Sequence, residues 1–396
     1  MSGARTQRRV AQREFRERRR RARRHAMAAV ASAVVAVGTA AGVISAVAGE
    51  EDRTTARPDT TASPTVVPLP AVPSATASPR TPSAPASTAS PAPRPSKPAP
   101  PASRGAAVPP AGRLYRHPES QVLDWVAAHR GDPRRPLIET RIAAQPAAVW
   151  FAAYNPGAVT GQVRSVTAAA ARAGRTPVLV PYAIPGRDCG GASQGGAPGL
   201  AAYDAWIREF AKGLGSGPVI VILEPDSVAL ADCLSAGDRQ ARYASLARAG
   251  DALHAANPKT RVYFDGGHSG WHAAPKQAAA LRAAGAASSS DGIFTNVSNF
   301  HRTADEAAYA RRVLAELGGP ARLGAVIDTS RNGNGAPKAG EWCDPAGRAL
   351  GRAPTTATGE SRIDAYLWVK LPGESDGCKG AAGSFTPDYA YQLATG

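Results

Sequence analysis

Cysteine is scarce in this chain, with four residues in 396. No two of them have CxxC spacing, which argues against a thiolate metal site. Histidine is nearly as rare, at seven. His268 has only His272 close by, on a predicted loop, so a metal centre is not expected. Acidic residues are outnumbered, 31 Asp and Glu against 47 Lys and Arg, giving a net charge of +16. That excess is not spread along the chain. Residues 1–25 hold eleven Arg against Glu14 and Glu17, so nine of the sixteen excess charges sit in a short arm. Large apolar residues are nearly missing from residues 50–110, which hold only Val66, Val67, Leu69, Val72 and Val108. Such a stretch cannot bury enough surface to offset its ordering entropy.

A long uncharged apolar run occurs once, over residues 27–49, rich in Ala and Gly. It is long enough to span a bilayer. Arg on its N-terminal side and Glu50-Glu51-Asp52 after it predict a cytoplasmic N-terminus with the rest of the chain outside. Ala46-Val47-Ala48 also offers a small-residue cleavage site, so membrane anchor and signal peptide are both open readings. On either, the chain is exported, and the arm is a topological signal rather than a nucleic-acid contact. The expected organisation is an Arg-rich cytoplasmic arm (1–26), the anchor or signal segment (27–49), a Pro/Ser/Thr/Ala-rich disordered linker (50–110) and one folded domain (111–396).

Within that domain the pattern alternates. Strands are predicted over 147–153, 176–182, 219–223, 261–265, 292–297, 323–328 and 363–369. Helices are predicted over 121–129, 161–173, 200–214, 239–256, 275–284 and 303–317, the last with Thr303 as its N-cap. The stretch 219–230, VIVILEPDSVAL, is the centre of this order. Its apolar run lacks alternation, as suits a strand covered on both faces, and Pro225 stops it. Regular strand–helix alternation over this length predicts a parallel, closed or nearly closed α/β barrel, with ligands at the C-terminal ends of the strands.

Those ends carry a common chemistry. They lead to Asp188, to Glu224 and Asp226, to Asp265 with His268 and Trp271, to Asn299, and to Lys370, Glu374 and Asp376. A lone Asp such as Asp226 after a strand is usually a helix N-cap. Several acidic loops on one face instead predict a pocket in which like charges raise some carboxyl pKa values, as general acid catalysis near neutral pH requires. Trp fills cores most often, and Trp206 lies in an apolar helical pattern. Trp150, Trp271 and Trp342 fall at strand ends or on loops, where flat faces beside carboxylates suit stacking on sugar rings. An even cysteine count on the exported side predicts two disulfides, with three pairings possible.

The segments YAIPGRDCGG, LEPDSVAL, FDGGHSGW, TNVSNF, IDTSRNGNG, EWCDPAGRA and DAYLWVKLPGESDG closely resemble glycoside hydrolase family 6, the β-1,4-glucanases. The resemblance runs in order through nearly all of residues 112–396. It implies a modified, partly open (β/α) TIM-like barrel that hydrolyses cellulose or related β-glucans with inversion, without metal or organic cofactor. It implies Asp226 as catalytic acid, Asp188 as the neighbour that holds it protonated, Asp376 as base with help from Ser193, and Asp265 as support for the network. Tyr182 would line the −1 subsite, and Trp150, His268, Trp271, Asn299, Trp342, Lys370 and Glu374 would touch sugar. Lys370 and Glu374 could otherwise pair with each other. The pairing Cys189–Cys233 and Cys343–Cys378 agrees with the family. Short intervals between motifs favour an open cleft and endo action by a monomer on soluble or amorphous glucan. The alternatives are an exo-acting cellobiohydrolase and a non-catalytic envelope glucan-binding protein.

Overall fold

The computed structural model describes residues 113–338 and 341–396. The Arg-rich arm, the apolar run and the linker lie outside the described residues. Seven strands form one sheet: β1 (Val149–Phe151), β2 (Val178–Pro181), β3 (Val219–Ile222), β4 (Thr260–Asp265), β5 (Gly292–Thr295), β6 (Gly324–Asp328) and β7 (Ile363–Leu367). All neighbours are parallel and in sequence order. Every crossover from β1 to β6 carries helix, and the described part of the β6–β7 connection carries none: α1 (Gln121–Ala128) and α2 (Arg135–Ile138) precede β1, α3 (Val159–Arg172) follows it, and α4 (Leu200–Lys212) follows β2. Then come α5 (Ala236–Ala256), α6 (Ala274–Ala283), α7 (Ala286–Ser289), α8 (Thr303–Leu317) and the closing α9 (Pro387–Thr395).

The strands lack alternation because both faces are dry. Val178, Val180, Ile220, Ile222, Phe294, Val326 and Leu367 point into the barrel and pack on one another. Leu179, Val221, Ile293 and Ile327 point outward, against a layer that includes Trp206, Phe210, Leu246 and Leu314 of the helices. Every residue of β3 is at most 1% exposed, and each such aliphatic side chain contributes about 2 kcal/mol by leaving water. Helix α4 is amphipathic, burying Tyr203, Trp206, Ile207 and Phe210 along one stripe.

The sheet curls without closing. Edge strands β1 and β7 form no ladder. They meet through one backbone bond, Ala148 N to Trp368 O at 2.9 Å, and one side-chain bond, Trp150 Nε1 to Val369 O at 2.7 Å. Beside this seam Trp125 of α1, Ile138 of α2, Ile142 and Ala390 of α9 pack round Trp368 and Leu371.

Three sequence expectations change. Helix α8 starts at Thr303, but Arg302 occupies its cap position and no side chain caps it. No α-helix follows Asp226 until Ala236, whose cap is Ser235, and the short 3-10 turn Ala231–Cys233 has Leu230 at its cap position, so the N-cap reading of Asp226 falls. Helices α2 and α9 were not anticipated. Among the described residues, no helix is long and apolar enough to cross a membrane.

Candidate active site

Parallel strands put all seven C-terminal ends on one face, and there the chain encloses a cavity of about 1060 Å³. Its wall includes Trp150, Tyr182, Asp188, Ser193, Asp226, His268, Trp271, Asn299, Trp342, Lys370, Glu374 and Asp376. These twelve positions span 227 residues of sequence, and the barrel with its disulfide-tied loops brings them together. Asp265 is absent from the wall. It is 2% exposed and lies behind the turn that carries Asp226.

That turn is strained. Glu224 and Asp226 have φ of 50° and 69°, a region sparsely used by residues with a Cβ, and they flank Pro225 so that the chain swings sharply out of β3. Buried carboxylates hold it in place. Asp265 accepts the Val228 and Ala229 amides at 3.0 and 2.8 Å and that of Gly267 at 2.9 Å. Glu224, fully buried, accepts the amides of Ala183 and Ile184, which fixes the chain just after β2. Burial, then the fields of Asp265 and Asp188, push the Asp226 pKa up to about 8. Burial likewise raises Asp265.

Asp188 lies on the adjoining loop. Its Oδ2 accepts Ser193 N at 2.6 Å. Arg187 packs its guanidinium 4.5 Å above the Tyr182 ring and bonds Ser193 O and Ala152 O. A Cβ at Gly191 would come within 2.6 Å of the Asp188 carboxylate and displace it. The Cys189–Cys233 disulfide ties this loop to the chain beyond Asp226.

Across the cavity, Asp376 has a different setting. The buried Arg331 meets its Oδ2 at 2.8 Å and Lys370 its Oδ1 at 3.2 Å. Lys370 therefore pairs with Asp376, not with Glu374. Burial pushes Glu374 up to about 7, and its carboxyl accepts from Gln121 Nε2 at 3.3 Å. Asp328 accepts the Lys370 and Ser298 amides, drawing the β5, β6 and β7 loops together. The Cys343–Cys378 disulfide joins the loop of Asp376 to that of Trp342.

Aromatic faces complete the wall. Trp150 and Tyr182 meet edge to face at 5.3 Å, His268 stacks on His301 at 4.3 Å, and Trp342 is 58% exposed. Burial, then His301 and His272, lower His268 to about 4, so it is neutral and able to share hydrogen bonds with hydroxyls. No group of three His, Cys, Asp or Glu side chains able to hold a metal ion occurs among the described residues. Arg331, Asp344, Asp328 and Gln121 were not picked out from the sequence as site residues. Arg331 stands inside a quoted segment, but nothing local marks its partner 45 residues on.

Acids in unlike surroundings, lining one aromatic-walled cavity on an incomplete parallel barrel, make up the cleft of a glycan-cleaving hydrolase. A family model described as glycosyl hydrolases family 6 matches residues 113–395. Endoglucanase 1 of Streptomyces sp. (strain KSM-9) is 56% identical over 288 residues, 72% of this chain and 79% of that protein. Endoglucanase A of Thermobispora bispora is 50% identical over 282 residues, 71% of this chain and 61% of that protein. The endoglucanase Cel6 from Mycobacterium tuberculosis, solved in complex with methyl-cellobiosyl-4-deoxy-4-thio-β-D-cellobioside, superposes with a TM-score of 0.67. It is 42% identical and covers 71% of this chain and 96% of that one. The chain belongs to glycosyl hydrolases family 6 and is a glycoside hydrolase.

Proposed function

We propose that the chain is an endo-acting β-1,4-glucanase that hydrolyses cellulose-type chains with inversion. The observation that carries this reading is a single cavity walled by Asp226, whose proton is held up to about pH 8, and by Asp376, ion-paired to Arg331 and Lys370. Asp226 acts as the acid. It protonates the departing glycosidic oxygen, and Asp188 and Asp265 favour its neutral form through like-charge repulsion. Asp376 acts as the base, taking a proton from a water that attacks the opposite face of the sugar; inversion needs about 6.5–9.5 Å between such carboxyls. Ser193 helps to hold that water. Trp150, Tyr182, Trp271 and Trp342 supply flat faces for glucose rings, while His268, Asn299, Lys370 and Glu374 supply hydrogen bonds to hydroxyls.

Two disulfides fit an extracellular catalytic domain. Attachment through residues 27–49 and a spacer at 50–110 extend that reading to a membrane-held enzyme. N-terminal sequencing of the native product tests this part, since a start at Gly49 means a cleaved signal. Hydrolysis of carboxymethylcellulose tests the activity. Viscosity is expected to fall faster than reducing ends appear, and Asp226→Ala is expected to abolish both effects. Equal, near-zero rates in the two proteins would overturn the assignment, and slow viscosity loss with release of cellobiose would replace endo by exo action.

A further inference from the structure

One buried carboxylate outside the cavity wall organises the loop of Asp376. Asp344 stands between Cys343 and Pro345 and is 4% exposed. Its side chain accepts four hydrogen bonds from a single five-residue segment. Oδ1 accepts Asp376 N at 2.7 Å, and Oδ2 accepts Ser375 Oγ at 2.6 Å, Cys378 N at 3.0 Å and Lys379 N at 2.9 Å. The bond is returned. Asp344 N donates to Asp376 Oδ2 at 3.1 Å, the same oxygen that Arg331 Nη1 meets at 2.8 Å. The residue that aims this N–H has φ of 46°, a conformation costly for a side chain with a Cβ.

The Cys343–Cys378 disulfide already joins the two segments, so Asp344 is not needed merely to keep them adjacent. What it adds is orientation. Four donors converging on one carboxylate fix the backbone of residues 375–379, and the returned N–H fixes the Asp376 carboxyl group. Oδ2 is thereby committed to Arg331 and Asp344, which leaves Oδ1, beside Lys370, as the oxygen turned toward water. We infer that Asp344 is a positioning residue for Asp376, acting on the step in which water attacks. This rests on Asp376 being the base.

The test compares the full chain with D344N, D376A and the double variant on 2,4-dinitrophenyl β-cellobioside. That leaving group needs no protonation, so turnover reports on water attack. D344N keeps the shape of the side chain but turns an amide into a nest of donors. It is expected to lower kcat at least about tenfold, the scale of an ångström-sized misplacement, with KM unchanged within about twofold. In the D376A background the same change is expected to cost less than about twofold, since residues acting as a unit are not additive. S375A, which removes one donor and keeps the carboxylate and the disulfide, gives the same pattern at smaller size if D344N does not fold. An equal fractional loss in both backgrounds, or a rise in KM at constant kcat, overturns the positioning role. If D376A keeps the kcat of the unaltered chain, the base assignment falls and this inference with it. Activity that responds to D376A but not to D344N or S375A overturns the inference alone.

Discussion

The two walls of the cleft are built from the same residue type in opposite settings. On the β2–β4 side, Asp188, Asp226 and Asp265 lie close enough for their fields to matter, and Asp226 is held protonated to about pH 8. On the β6–β7 side, Asp376 has Arg331 and Lys370 within 3.2 Å and an amide from Asp344. The first setting suits giving up a proton near neutral pH, and the second holds the proposed base between two cations. On the proposed mechanism one barrel divides the acid and base roles by environment, with carboxylate neighbours beside Asp226 and two cations on Asp376.

Breaking the acid wall gives the largest expected effect. Asp226→Ala should lower kcat on carboxymethylcellulose by about 10³-fold, the usual range for a general acid, and far less on a substrate with a dinitrophenolate leaving group. Breaking the cation wall comes next. Arg331 is fully buried against Asp376, and Arg331→Met breaks that buried ion pair, leaving Lys370 as the one cation beside the carboxylate. A loss of about 3–5 kcal/mol of stability is expected in urea denaturation.

The comparison sharpens with pH. The Asp226 pKa is raised in the folded state, so between pH 4 and 8 the unfolded chain binds fewer protons at this group and stability falls as pH rises. Asp226→Asn should therefore melt above the unaltered protein at pH 8, with the gap closing toward pH 4, while kcat/KM of the unaltered enzyme declines as pH passes about 8. A gap that is flat with pH would refute the raised pKa. The smallest effect is expected at the rim. Trp342→Ala removes an exposed flat face whose contact is worth about 1 kcal/mol, so KM should rise about fivefold with kcat little changed.

Most of the frame was legible in the sequence because it depends on local pattern. Every strand from β1 to β7 was placed within a few residues of its observed bounds, and twelve of the thirteen expected site residues line one cavity. Asp265 differs because a strand-end carboxylate can face the ligand or the neighbouring loop, and only the packing of residues 228–229 against β4 decides. Asp344 and Arg331 were illegible as site residues for a related reason. Their partners lie 32 and 45 residues away, across loops whose mutual approach is set by the Cys343–Cys378 disulfide and the curl of the sheet. Helix α9 escaped notice because its apolar face, Tyr389, Ala390 and Leu393, is too short to show a period. Thr303 resembled a cap in sequence, but the turn places the preceding Arg302 there.

The unzipped edge between β1 and β7 has a consequence for how a polymer enters. Trp150 stands on one lip of that gap and Lys370 and Glu374 on the other, and all three also wall the cavity. A groove that crosses a seam held by two hydrogen bonds and no strand ladder suits a long strand laid in from the side, with no free end to thread. Such an opening fits attack in mid-chain, wherever a glucan drapes across the enzyme.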